Sequence, residues 1–102
     1  MSDLAGKVAL VAGGYGYIGE AIVRGLARHG ARVLIAGRDE AKAVALAREL
    51  EAGGATAHAL SFDARSPDAI RIAVELAAER HGVPDFFVNS LGVQNEQPLL
   101  EV

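Results

Sequence analysis

Four short apolar stretches alternate with three amphipathic ones along this chain. The first, Lys7-Val8-Ala9-Leu10-Val11-Ala12, has no polar alternation and stops at Gly13-Gly14. It is too short for a helix and too continuous for a strand with one face in water. It therefore reads as a strand buried on both faces of a parallel sheet. From Ile18 to His29, apolar residues fall at Ile18, Ala21, Ile22, Leu26 and Ala27, with Arg24 and Arg28 opposite. That spacing predicts a helix, closed by Gly30. Arg32-Val33-Leu34-Ile35-Ala36 is a second buried strand. Asp39 then has the chemistry of a helix cap, Ala43, Leu46, Ala47 and Leu50 share one face, and Gly53-Gly54 supply the stop. Thr56 to Phe62 reads as a third strand on weaker grounds, because Ala and His are poor strand formers. Ser66-Pro67-Asp68 is a helix start, with a capping hydroxyl, a proline in the first turn and an acid at the positive dipole end. That helix runs to His81 and ends at Gly82. Asp85 to Asn89 is a fourth short strand, and Ser90 to Val102 has no usable period.

The order β-α-β-α-β-α-β with short connections predicts an α/β fold, a parallel sheet covered by helices on both faces. Right-handed crossovers restrict the layout. If three strands walk outward and the fourth returns beside the first, the strand order is 3-2-1-4. This is one half of a Rossmann-like doubly wound fold, here a single domain over 1–102. No internal repeat, linker or low-complexity segment interrupts it.

Composition narrows the classes. The chain has 102 residues, 51% of them apolar and 23% charged, which suits a globular domain and not a disordered one. A net charge of −3 carries no basic excess, so neither nucleic acid nor a membrane surface is an expected partner. With no cysteine, disulfides and thiolate metal sites are excluded, and a reducing, cytoplasmic location is the expectation. No signal peptide and no apolar run long enough for a membrane span are visible.

The sharpest chemical signal is Gly13-Gly14-Tyr15-Gly16-Tyr17-Ile18-Gly19, at the junction of the first strand and the first helix. Glycines there permit a tight turn, let the backbone approach a pyrophosphate, and let helix pack closely on strand. The free N–H groups of the helix start favour the anion. The competing reading is a tight turn whose glycines serve packing alone. Two tyrosines are bulky for such a loop, and Tyr17 is expected to pack beneath it as part of the core.

The end of the second strand is the next test, because an NAD site places Asp or Glu there to hold the ribose hydroxyls. This chain has Gly37 followed by Arg38. Without a carboxylate a 2′-phosphate is not repelled, and Arg38 can pair with it, which favours NADP(H) over NAD(H). Asp39 is assigned to capping; turned inward, it would reverse that preference, and Arg38 could also be a solvated loop charge.

The chain resembles the N-terminal part of the short-chain dehydrogenase/reductase family. The carrying residues are Val11 to Gly19, Ala36-Gly37-Arg38-Asp39-Glu40, Phe62-Asp63-Ala64 and Val88-Asn89-Ser90-Leu91-Gly92. The resemblance implies that Gly13, Gly16 and Gly19 line the pyrophosphate, with Tyr15, Tyr17 and Ile18 in the same loop. It implies that Asp63 contacts the adenine and that Asn89 and Gly92 lie near the ribose. Departures are visible. Ala12 replaces the family's usual Thr, Tyr17 stands at a usual glycine, Gly16 matches the spacing of the extended subfamily, and Asn-Asn-Ala-Gly becomes Asn89-Ser90-Leu91-Gly92.

The family's chemistry is hydride transfer, with a Tyr-x-x-x-Lys pair and a supporting Ser. Tyr15 and Tyr17 have no lysine four residues on, so no catalytic residue is assigned. His29 and His81 each precede a helix-ending glycine, where a partly protonated ring suits the negative dipole end. His58 is expected to face solvent. The histidines lack ligand spacing, so no metal is expected.

The expectation is the cofactor-binding part of a longer NADP(H)-dependent oxidoreductase. Its small-molecule substrate, a carbonyl or alcohol compound, would engage only a full-length form. A non-catalytic nucleotide-binding or sensor module is the alternative. A methyltransferase-like domain would want an acid where Gly37 stands. The apolar edge at Phe86 to Val88 predicts that the isolated chain self-associates.

Overall fold

In the computed structural model, residues 3–13, 15, 17–37, 39–61 and 68–90 are described. Four strands, β1 (Val8–Ala12), β2 (Arg32–Gly37), β3 (Thr56–Ser61) and β4 (Phe86–Asn89), alternate with α1 (Tyr17–Arg28), α2 (Glu40–Ala52) and α3 (Ala69–Arg80). The strands form one sheet in the order β3-β2-β1-β4, and every pairing is parallel. This is the predicted topology, and the chain turns back beside β1 at its fourth strand.

Burial explains why β1 lacks polar alternation. Ala9 and Val11 point to the face covered by α1 and α2, where they meet Val23, Ala27, Val33, Ile35, Ala43, Leu46 and Ala47. Val8, Leu10 and Ala12 point to the opposite face with Leu34, Ala36 and Leu60, under α3. Both faces are core, so both phases of the strand are apolar. The α3 stripe of Ala69, Ala73 and Ala77 brings that helix close to the sheet.

Several helix ends follow the chemistry of the sequence, Gly53-Gly54 closing α2 and Gly82 following α3 among them. Asp39 caps α2, its Oδ1 accepting from the N–H of Lys42 at 3.1 Å. At the end of α1, Gly30 takes a left-handed φ of 98°, its N–H bonding Ala27 O while that of Ala31 bonds Leu26 O. Those two bonds satisfy carbonyls that the last turn leaves open.

Three details differ. In α1 the buried residues are Gly19, Val23 and Ala27, while Ile18 and Ala21 lie at the surface, so the apolar face is rotated from the one predicted. The third helix begins at Ala69, after Asp68, whose side chain makes no capping hydrogen bond to it. Ser66 and Pro67 lie outside the described residues. His58 is half-buried instead of solvent-facing, its ring stacked on that of His81 with centroids 4.4 Å apart. His81 is correspondingly not a ring poised to protonate at a helix end. Burial first, then the neighbouring His58, Arg32 and Arg80, hold its pKa below the ordinary histidine value. His29 Nδ1 lies 2.8 Å from Asp3 Oδ1.

Candidate functional site at the carboxyl ends of the strands

The parallel register brings Ala12, Ala36 and Asn89 to the same end of three adjacent strands. The chain leaves β1 there through Gly13, whose φ of 77° is left-handed and whose N–H donates to Ala36 O at 2.7 Å. Only glycine takes that angle without strain, so the turn that opens toward α1 depends on it.

Gly19 is buried in the first turn of α1. A Cβ there would collide with the Gly13 carbonyl oxygen and stand 2.8 Å from Ser90 Oγ. The helix start is therefore pressed directly against the strand ends. The first-turn N–H groups of a helix have no partner within it, and this helix starts at the same end of the sheet as Gly13. In an open parallel sheet, the crevice at the carboxyl ends where the strand order reverses is where ligands bind.

Ser90 closes this end of the molecule. It is 2% exposed, its hydroxyl donating to Ala12 O at 2.7 Å and lying 3.1 Å from Gly13 O. Its own N–H also reaches Ala12 O, at 3.0 Å. A single residue at the end of β4 thus fixes the last residue of β1 and the first of the loop. In the sequence Ser90 stands out only as a departure from the family's second Asn. The signal available was its place immediately after a strand, where a short hydroxyl reaches a neighbouring strand's carbonyl.

Of the two tyrosines, Tyr15 and not the expected Tyr17 takes the inward place. Tyr17 is 86% exposed at the first position of α1 and packs under nothing. Tyr15 turns inward, half-buried against the α1/α2 core, its ring over Gly37 and its hydroxyl accepting from Asp39 N–H at 2.9 Å. Ile18 is at the surface beside Tyr17, and Asn89 lies exposed at the carboxyl end of β4. Gly14, Gly16, Arg38, Asp63 and Gly92 lie outside the described residues.

At the end of β2 there is no side chain on Gly37, and Asp39 Oδ1 accepts from the Lys42 N–H of its own helix. A salt-bridge pair, Arg24 to Glu20 at 2.7 Å and to Glu49 at 2.8 Å, ties α1 to α2 below the loop. Among the described residues no cluster of three His, Cys, Asp or Glu side chains could hold a metal, and no helix is long and apolar enough to cross a membrane.

A left-handed glycine after β1, a helix start packed against the strand ends through Gly19, and a bare Gly37 at the end of β2 suit a dinucleotide. The family model described as short chain dehydrogenase matches residues 7–102. The chain is 46% identical over 95 residues to the sex determination protein tasselseed-2 of Zea mays, covering 92% of this chain and 27% of that one. Among solved structures, a blue fluorescent protein from a metagenomic library in complex with NADPH superimposes with a TM-score of 0.80 at 43% identity, over 98% of this chain and 42% of that one. The Pseudomonas aeruginosa RhlG/NADP active-site complex gives 0.77 at 35% identity, over 86% and 35%. The chain spans between 27% and 42% of the length of these proteins.

Proposed function

Because the chain belongs to the short-chain dehydrogenase family, we propose that it is the NADP(H)-binding part of an oxidoreductase acting on a carbonyl or alcohol substrate. Bound NADP(H) would supply the hydride donor or acceptor. Gly13, Gly16 and Gly19 let the backbone approach the pyrophosphate, and the first turn of α1, from Tyr17 and Ile18, offers its N–H groups to the phosphate charge. Arg38 pairs with the 2′-phosphate. Asp63 takes the adenine, and Asn89 and Gly92 the ribose on the nicotinamide side. Ser90 holds the ends of β1 and β4 together under that ribose and touches no cofactor.

The observation that carries the preference is the strand end, where Gly37 has no side chain and Asp39 Oδ1 caps α2 through the Lys42 N–H. An NAD-selective site needs an acid there. The NADPH and NADP complexes among similar structures support the same choice.

Titrating the chain with NADPH and NADH, and repeating with Arg38→Ala, tests this reading. NADPH is expected to bind more tightly, and the variant is expected to lose roughly tenfold of that preference, the worth of one charge-assisted contact. An unchanged ratio would remove Arg38 from the site, and equal affinities in the unmodified chain would remove the preference itself. A second expectation concerns turnover. The 102 residues contain no Tyr-x-x-x-Lys, so NADPH absorbance stays flat when carbonyl compounds are added. Genuine turnover would mean that a different set of residues does the chemistry.

A further inference from the structure

Glycine at position 37 is not explained by its backbone. Its φ lies outside the left-handed range in which glycine is needed, and it ends a regular strand. What it lacks is room. A Cβ at Gly37 would lie 2.5 Å from the Tyr15 hydroxyl oxygen and 2.7 Å from Tyr15 Cζ, closer than real Cβ atoms come. The ring cannot easily swing away, because it is packed against the α1/α2 core and its hydroxyl accepts from Asp39 N–H at 2.9 Å.

We propose that Tyr15 is a specificity-determining residue: its ring fills the space in which a side chain at the end of β2 would have to stand, so this site cannot carry the carboxylate that reads an unphosphorylated ribose. The inference rests on the NADP(H) reading above and adds to it a cause. The absence of an acid at position 37 is enforced by a residue of the phosphate loop, 22 positions earlier in the chain. The same ring also anchors the backbone at Asp39, so one side chain couples the loop after β1 to the turn after β2.

Two substitution cycles test this. The first needs no cofactor. Gly37→Ala alone is expected to lower the thermal unfolding midpoint by several degrees, as overpacked sites do, and Tyr15→Ala is expected to abolish that penalty in the double variant. A Gly37→Ala variant as stable as the parent, or a penalty undiminished in the Tyr15→Ala background, overturns the proposal.

The second cycle reads the NADPH to NADH affinity ratio. Gly37→Asp alone is expected to weaken NADPH without gaining NADH. Tyr15→Ala with Gly37→Asp is expected to bind NADH about tenfold more tightly than Gly37→Asp alone, the scale of one charge-assisted contact. Circular dichroism on each variant confirms that it is folded. If Gly37→Asp by itself turns the chain toward NADH as fully as the double variant, Tyr15 does not exclude the carboxylate and the inference fails while the NADP(H) reading stands. If the unmodified chain shows no preference for NADPH, both fail. Tyr15→Phe separates the two contacts of the ring. It should keep position 37 blocked, so Gly37→Ala remains destabilising in that background, whereas relief by Tyr15→Phe would contradict the steric argument.

Discussion

Ser90 is the buried polar residue on which the site's geometry turns. Its hydroxyl and its N–H both address the junction of β1 and the loop, through Ala12 O and Gly13 O. Ser90→Ala removes the hydroxyl bond and leaves the Ser90 N–H to Ala12 O in place, at a cost of about 0.5–1.5 kcal/mol. For a domain of this size each kcal/mol lowers the unfolding midpoint by about 4–8 °C. Calorimetry on the variant should therefore show a drop, and NADPH affinity should fall with it because one of the contacts on Gly13 is lost. A variant as stable as the parent would mean that Ser90 fills space without fastening the strand ends.

A second residue-scale effect is electrostatic. The pKa of His81 is lowered in the fold, so the unfolded chain takes up the proton first. The groups facing it are His58 from β3, Arg32 from β2 and Arg80 from its own helix, all cationic or able to become so. Asp85 lines the same cleft. Stability is therefore fully present above the ordinary histidine pKa of about 6.5, and falls as pH drops through that value toward the lowered one. Denaturant midpoints measured from pH 7.5 to 5.5 should decline in the parent and decline less in His81→Gln. Equal slopes would assign the loss to other groups. This behaviour could not be read from the sequence, which places His81 before Gly82 but does not reveal that β3 brings His58 beneath it. The tyrosines make the same point. Spacing put both in the loop, yet which one turns inward depends on where α1 begins, and at Tyr17 the first helical residue points outward.

At the scale of elements, legibility followed burial. β1 and β2 are covered on both faces, so their sequences are continuous and apolar, and they lie where the pattern put them. The cap on α2 and the glycine that ends α1 were readable because each is local chemistry, a side chain or an angle meeting its own backbone. The face of α1 was not, because Gly19 carries no apolar signal. It is buried for what it lacks, allowing the helix start to approach Gly13 and Ser90. The glycines, the bare strand end and the strand order were thus visible in sequence. The contacts between loop, β2 and β4 that build the site from them are tertiary and were not.

At the scale of the whole molecule, β4 stands at one end of the sheet, paired to β1 alone among the described strands. Phe86 and Phe87 are successive residues, so they project to opposite faces, and each is 39% exposed. The edge thus offers a row of backbone donors and acceptors flanked on both sides by aromatic rings, the arrangement that recruits a further strand. On the neighbouring face, α3 leaves Ile70 and Ile72 at 41% and 39% exposure. The occupant available to an isolated chain in solution is a second copy of itself, edge to edge. Sedimentation of the 102-residue chain should show association that grows with concentration across the micromolar range. A charge at the edge is the standard means of blocking such pairing, so Phe87→Lys should shift the population toward monomer while β1, β2 and β3 keep their pairings. A parent chain that stays monomeric at tens of micromolar would show that this edge recruits nothing. Association unchanged by Phe87→Lys would place the contact elsewhere, with the exposed isoleucines of α3 the next surface to alter.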